Sequence, residues 1–265
     1  MANSSSLSGT AIPPEVHIFF REIKEHPDDD TPRLIFADWL EEHGDAAAAA
    51  RGEFLRSRVL RRHLSADDPS YDLLKRREGE LFTAYCWTWL GPLTDQSREW
   101  KFERGLVQVR AKAEQVLTPD VAAWARTEAA FWIDALTLTD VTPRHLAQLA
   151  ESPLLGHLNM LDLSENRLRR LRTLFETPAV GRLTRLLLSR NRLTGEEIAA
   201  LTESPHLCRL TELDLERNRL DDEAAARLAS AEWRRDLRLL RLRHNRFSPV
   251  GREVLRQAFR ERVQL

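Results

Sequence analysis

A repeated eleven-residue pattern is the feature that most constrains the fold of this 265-residue chain. The pattern L-x-x-L-x-L-x-x-N-x-L occurs four times, with phenylalanine as the last residue of the fourth copy. Alternating leucines predict a short strand with one buried face, and asparagine suits the following turn because its side chain can pair buried backbone groups. A unit of this size cannot bury its own apolar face, so the copies are expected to stack. The copies begin at Leu158, Leu183, Leu210 and Leu237, and their asparagines are Asn166, Asn191, Asn218 and Asn245.

These copies resemble leucine-rich repeats, and their helix-bearing spacing of 25 to 27 residues is similar to the ribonuclease-inhibitor-like branch. The resemblance implies an α/β solenoid arc, with parallel strands inside and helices outside, which here follows a helical N-terminal module. Helices are predicted at residues 195–207 and 221–233, and a closing helix at residues 248–263. Weaker copies extend the array upstream, with Thr118 as the N-cap of a further helix at residues 118–132. The predicted strand centres are residues 107, 136, 161, 186, 213 and 240.

Residues 28–45, DDDTPRLIFADWLEEHGD, predict a helix and the start of a second one at residues 46–64. Apolar residues at i, i+3 and i+4 spacing indicate one buried face. The acids are predicted to cap and solvate these helices; the alternative, a metal or acid–base site, lacks the alternate ligand spacing of a calcium loop. The predicted roles are N-cap for Asp30 or Thr31, first turn for Pro32, buried face for Ile35, Phe36, Trp39, Leu40 and His43, left-handed C′ residue for Gly44, and N-cap for Asp45.

Residues 28–45 with the following ARGEFLRSRVL look like the repeat-companion domain of planctomycete bacterial proteins, which often precedes leucine-rich repeats. This resemblance implies a bacterial protein of two parts and implies no particular chemistry. The predicted organisation is a disordered tail at residues 1–14, the helical companion domain at 15–64, a helical connector or cap at 65–100, and the repeat domain with its capping helix at 101–265.

The residues between the leucines are expected to face the open inner side of the strands, where they form columns of mixed charge around a few exposed apolar side chains. Mixed polarity around apolar anchors is typical of a protein-binding face. The columns start at Ala135, Thr137 and Thr139. The predicted partner-binding residues are Met160, Asp162, Arg185, Leu187, Arg190, Arg192, Glu212, Asp214, Arg217, Arg219, Leu239, Arg241 and Arg243.

An arginine follows each of the four asparagines, as Arg167, Arg192, Arg219 and Arg246. Such a ladder can hold carboxylates or phosphates, or it can be a solvated rim whose arginines pair with interleaved acids. The net charge is −7 over residues 1–157 and +6 over residues 158–265, although the whole chain has a net charge of −1. Nucleic-acid surfaces are usually more basic and carry stacking aromatic residues, so nucleic acid is the less favoured partner.

The sequence favours a non-enzymatic protein-interaction scaffold. The phosphate-binding, nucleophile-elbow and zinc motifs are missing, so no catalytic residue, metal or cofactor is predicted. Cys86 and Cys208 are expected to be small buried side chains. A chain without an apolar run of about 20 residues or a secretory signal is expected in the cytoplasm. The alternatives are a regulator of a nucleotide-dependent enzyme, by resemblance to GTPase-activating repeat proteins, and a nucleic-acid binder.

Overall fold

The computed structural model describes residues 14–27, 29–96 and 99–265. These form two compact units, with the boundary after Tyr85. The predicted tail, residues 1–14, lies outside the described residues except for Pro14, where the first helix begins. The first unit contains α1 (Pro14–Glu25), α2 (Thr31–His43), α3 (Ala46–Arg62) and most of α4 (Pro69–Leu90).

The core of the first unit lies between α2 and α3, where Phe36 and Leu40 are fully buried with Phe54 of α3. Ile35 was expected on this buried face, and that prediction is wrong because its side chain is 53% exposed. The contact stripe of α2 is narrow, and it includes the buried Arg33, whose Nη1 donates to the carbonyl of Asp29 at 2.6 Å. His43 is also exposed, and its ring stacks on Trp39 rather than entering the core.

The connection between α2 and α3 confirms one predicted cap and corrects another. The Asp45 carboxylate accepts hydrogen bonds from the backbone N–H groups of Ala47 and Ala48, at 3.0 and 2.8 Å, so it is the N-cap of α3. Gly44 is not left-handed, since its φ is −86° and its ψ is 167°. A glycine is needed there for space: an added Cβ would lie 2.4 Å from the Ala48 Cβ and 2.5 Å from the Leu40 carbonyl oxygen.

The second unit is built on one eight-stranded sheet whose strands follow each other in chain order. The first two strands pair antiparallel, and every later pair is parallel. All six predicted strand centres fall inside strands, so the leucine-rich-repeat solenoid is confirmed as the fold of this unit. The strands are β1 (Glu99–Glu103), β2 (Leu106–Lys112), β3 (Ile133–Thr139), β4 (Met160–Asp162), β5 (Arg185–Leu187), β6 (Glu212–Asp214), β7 (Leu239–Arg241) and β8 (Val263–Gln264).

Helices connect the parallel strands, as the repeat pattern predicts. The predicted helical segments are confirmed, although each helix is shorter than predicted because a tight 3-10 turn or a loop leads into the next strand. Thr118 is the predicted N-cap, and its hydroxyl accepts from the Val121 N–H. The helices are α5 (Leu93–Gln96), α6 (Ala113–Val116), α7 (Pro119–Trp124), α8 (Pro143–Glu151), α9 (Arg172–Glu176), α10 (Gly195–Thr202), α11 (Asp222–Ser230) and α12 (Pro249–Phe259).

The pattern leucines form the core of the solenoid. Leu161, Leu186, Leu213 and Leu240, one from each of four successive strands, are completely buried. The cysteines do not join this core: Cys86 is half-buried and Cys208 is exposed. The prediction for Cys208 is wrong because this residue lies in the turn before β6, ahead of the first inward-facing leucine of its repeat, Leu210.

The four pattern asparagines form a ladder that joins neighbouring repeats. Asn191 Nδ2 donates to the carbonyls of Leu163 and Leu188, one in the preceding repeat and one in its own, both at 3.0 Å. Its Oδ1 accepts from the backbone N–H groups of Asn166 and Leu168. These backbone groups are buried or partly buried and lie in turns, so the amide supplies hydrogen bonds that the turns themselves lack. Asn166, Asn218 and Asn245 make equivalent bonds.

Candidate functional site

The parallel register aligns the predicted columns into two rows across the sheet. Met160, Arg185, Glu212 and Leu239 are direct partners on successive strands and form the first row. The second row, two residues further along each strand, contains Asp162, Leu187, Asp214 and Arg241. We call the surface of these eight residues the open strand face. Because side chains alternate along a strand, these residues point away from the buried leucines between them.

The apolar members of the open strand face are half-buried rather than fully exposed. Leu187 lies in register between Asp162 and Asp214. Met160 is in register with Arg185, and Leu239 with Glu212, so each apolar residue has at least one charged neighbour in its row. Ala135 was expected to begin the first row on this face, but it is only 2% exposed. Its small side chain is covered between Gln108 and Met160, its partners on the two adjacent strands.

Four of the charged members of the open strand face are held by an ion pair or by a backbone hydrogen bond. Arg241 forms an ion pair with Glu212 across β6 and β7. The Oδ1 atoms of Asp162 and Asp214 each accept a backbone N–H two residues further on, at 2.9 Å. Burial raises the pKa of Asp214, and the nearby negative charge of Glu216 raises it further. The hydrogen bond from the Glu216 backbone N–H and the positive charge of Arg241 lower this pKa and so oppose the shift. The face therefore combines apolar anchors with oriented charges of both signs.

The turns that follow the strands carry a second surface, which we call the arginine edge. These turns span residues 164–170, 189–192, 216–219 and 243–246, and every arginine in them is exposed. Arg190 forms an ion pair with Glu165 at 3.1 Å. At this one position, the edge is a rim in which an arginine pairs with an interleaved acid. Over the described ranges, no carboxylate lies within ion-pair distance of the other members of the edge. The edge consists of Arg167, Arg169, Arg170, Arg190, Arg192, Arg217, Arg219, Arg243 and Arg246.

The backbone of the arginine edge has an unusual conformation that the sequence analysis missed. The residue before each ladder asparagine has a positive φ: Glu165 63°, Arg190 52°, Arg217 53° and His244 61°. Such a conformation is uncommon for residues other than glycine and is kept only where the surrounding structure imposes it. The asparagine ladder imposes it here. The available sequence signal for this conformation was the constant position of these residues before each asparagine. None of them is a glycine, the residue that usually indicates a positive φ.

The first unit has an open groove of about 570 Å³. The groove exists because α4 closes one side of the space next to α3. Its carboxylates are already engaged: Glu53 accepts two hydrogen bonds from Arg77, at 2.6 and 2.9 Å, which lower the pKa of Glu53. Arg77 also pairs with Glu80.

Most of the described acidic side chains of residues 29–45 also form ion pairs or hydrogen bonds. Arg56 pairs with Asp38 and Glu41. The backbone N–H of Thr31 donates to Asp29 and lowers its pKa. Asp30 makes no side-chain cap, and its carboxylate instead lies 2.8 Å from the ring of His63. Within residues 14–27, 29–96 and 99–265, which exclude Asp28, no group of three or more potential ligands is placed to hold a metal ion.

A family model and a solved structure are similar to parts of this chain. The leucine-rich repeat family model, described as "Leucine Rich repeat", matches residues 206–229, which include β6 and most of α11. Among solved structures, the chain is similar to an internalin, InlF, from Listeria monocytogenes str. 4b F2365, with 18% identity and a TM-score of 0.37. That alignment covers 55% of this chain and 38% of the internalin chain. No curated protein matches the chain.

No helix within residues 14–27, 29–96 and 99–265 is long and apolar enough to cross a bilayer. The resemblance of the N-terminal region to a repeat-companion domain, the cytoplasmic location and the domain boundaries stay predictions.

Proposed function

We propose that this leucine-rich-repeat chain is a non-enzymatic binding module that holds a protein partner on its open strand face and arginine edge. The observation that carries the proposal is the position of Leu187 between Asp162 and Asp214, in register on three neighbouring strands. A half-buried leucine flanked by oriented carboxylates offers an apolar contact at its centre and polar contacts around it, as protein interfaces do.

The rest of the open strand face supports the same proposal. Met160 and Leu239 extend the apolar contact along the first row, on either side of Arg185 and Glu212. Pairing of Glu212 with Arg241 holds both side chains in defined positions before a partner binds. A surface that is ordered in advance loses less conformational entropy on binding, so more of the contact energy appears as affinity.

A pull-down with the full chain tests this proposal. The bait is incubated with nuclease-treated lysate of the source organism, in parallel with Leu187→Glu and with the matched control Val250→Glu. Val250 is 70% exposed on α12, so the control makes the same chemical change away from the open strand face. We expect a protein retained by the wild type and the control and lost by Leu187→Glu. Equal retention by all three forms would contradict the proposal.

The nuclease step also separates the proposal from the nucleic-acid alternative. A partner that is captured only when nuclease is omitted is held through nucleic acid, and that result would favour the alternative. The role as regulator of a nucleotide-dependent enzyme rests on a resemblance alone, and no feature of the open strand face favours it over partner binding.

A further inference from the structure

The arginine edge is a strongly basic surface. Its four turns contain nine arginines and His244, against only two acids, Glu165 and Glu216. Glu165 is already paired with Arg190. The edge therefore keeps a large positive charge, although the chain as a whole has a net charge of −1. Exposed like charges at close spacing repel each other, so a ligand of opposite charge would relieve that repulsion.

The backbone beneath the arginine edge is fixed by hydrogen bonds between neighbouring turns. The N–H of Arg192 donates to the Leu168 carbonyl, that of Arg219 to the Leu193 carbonyl at 3.0 Å, and that of Arg246 to the Leu220 carbonyl at 2.8 Å. Neighbouring strands lie about 5 Å apart, so Arg167, Arg192, Arg219 and Arg246 form a regular column at about that spacing. A rigid backbone positions the guanidinium groups before a ligand arrives.

We propose that the arginine edge binds an acidic segment of the protein partner, with side-chain carboxylates of that segment on Arg167, Arg192, Arg219 and Arg246. The inference rests on the proposed function and names the chemistry of the partner. A guanidinium group can donate two parallel hydrogen bonds to one carboxylate, which gives a stronger and more directional contact than a single ion pair.

Two observations favour carboxylates over the phosphates of a nucleic acid. The four turns contain no tryptophan, tyrosine or phenylalanine on which a base could stack, and stacking on such side chains is a main source of affinity for single-stranded nucleic acid. Glu165 and Glu216 interrupt the basic surface. A peptide can place its acids opposite arginines and away from these glutamates, whereas a phosphodiester chain carries a charge at every nucleotide.

Fluorescence anisotropy with labelled probes tests the inference on the full chain. The probes are an oligoglutamate peptide of about ten residues, long enough to cross four strands, an oligoglutamine peptide of equal length and a single-stranded oligonucleotide. The edge variant is Arg192→Glu/Arg219→Glu. The matched control is Arg227→Glu/Arg256→Glu, which changes the net charge equally but lies on α11 and α12.

We expect saturable binding of oligoglutamate, at least about tenfold tighter than that of oligoglutamine, because only the first peptide can form charge-assisted bonds. The edge variant should weaken this binding at least about tenfold, and the control less than about threefold, since salt screens distant charges. Absence of oligoglutamate binding, or an equal loss in edge variant and control, would overturn the inference. Tighter binding of the oligonucleotide, lost in the edge variant, would overturn it in favour of nucleic acid.

The pull-down separates failure of this inference from failure of the proposed function. If the edge variant retains the partner that Leu187→Glu loses, the acidic-segment inference fails, and the proposed binding of a protein partner on the open strand face stands. If the partner is retained by both variants, the proposed function itself fails. Circular dichroism of each variant checks that these exposed substitutions leave the fold intact.

Discussion

The side-chain oxygen of Asn191 accepts a hydrogen bond from the backbone N–H of Asn166, the equivalent asparagine of the preceding repeat, at 3.2 Å. The ladder asparagine of one repeat thus fixes the turn of its neighbour. That turn begins the arginine edge at Arg167, and the strand before it carries Asp162 of the open strand face. The same contacts that hold the solenoid together therefore position both surfaces.

The first prediction concerns this ladder. Asn191→Ala removes hydrogen bonds to two backbone N–H groups and to the carbonyls of the turn, in a buried site. Each buried polar group left without a partner costs about 1–3 kcal/mol, and water can reach some of them. We expect the free energy of unfolding to fall by roughly 3 kcal/mol, measured by urea denaturation. The exposed Gln257→Ala is the control, and a loss no larger than the control's would show that the ladder is dispensable.

The second prediction concerns the turn between α2 and α3. Gly44→Ala and Gly44→Asn should both lower the free energy of unfolding, by about 1–3 kcal/mol, because either side chain collides with Ala48 and Leu40. A left-handed glycine would instead tolerate asparagine much better than alanine. Thermal unfolding of the two variants distinguishes these cases: similar losses support the close approach, and an intact Gly44→Asn variant contradicts it.

The third prediction concerns a buried carboxylate in the first unit. Glu78 is 5% exposed and accepts hydrogen bonds from Arg61, at 2.6 and 3.1 Å, and from Arg58, at 3.1 Å. Glu78→Ala leaves two partly buried guanidinium groups without their counter-charge, which costs about 3 kcal/mol. Chemical denaturation followed by circular dichroism measures the loss. Glu80→Ala, on the exposed side of α4, should cost less than about 1 kcal/mol.

The fourth prediction concerns pH. The pKa of Asp214 is raised in the folded state, mainly by burial, so the folded chain binds more protons than the unfolded chain at pH values between the two pKa values. Ionisation of Asp214 therefore destabilises the fold, and this effect is fully present at neutral pH. Asp214→Asn, which keeps an acceptor for the Glu216 N–H, should raise the free energy of unfolding at pH 7 by roughly a few tenths of a kcal/mol, because solvent partly screens the site.

Unfolding curves at neutral pH and at about pH 2.5, more than one unit below the ordinary pKa of an aspartate, test this sign. The gain in Asp214→Asn should vanish at the lower pH, where the wild-type carboxyl is protonated in both states. The exposed Asp236→Asn makes the same change of charge and serves as the control. A variant that is less stable than the wild type at pH 7 would show that the carboxylate form of Asp214 stabilises the fold.

The repeat unit was largely predictable because the positions of most strands follow from the spacing of their leucines and other apolar residues. The strands from β2 to β7 all contain a predicted centre. β1 was missed although a signal was present: Arg104 and Gly105, with φ values of 49° and 85°, form a two-residue hairpin turn of the type that favours glycine. β8 is only two residues long, and such a strand leaves no periodicity in the sequence.

The first unit and the surfaces were less predictable because they depend on contacts between elements. Helical periodicity cannot show that Ile35 lies outside a narrow contact stripe, or that Gly44 is required by the approach of Ala48. The columns of the open strand face follow from strand register, which the repeat fixes. The burial of Ala135 depends on the side chains of both neighbouring strands, and the pairing of Arg241 with Glu212 depends on side-chain conformation.

Titration calorimetry with the captured protein tests the central claim most directly. It compares the affinity of that protein for Leu187→Glu with its affinity for the wild type and for Val250→Glu. The account predicts a stoichiometric complex with the wild type, an affinity at least about tenfold lower for Leu187→Glu because a charge enters an apolar contact, and an unchanged affinity for Val250→Glu. An unchanged affinity for Leu187→Glu would contradict it, since the partner would then bind away from the open strand face.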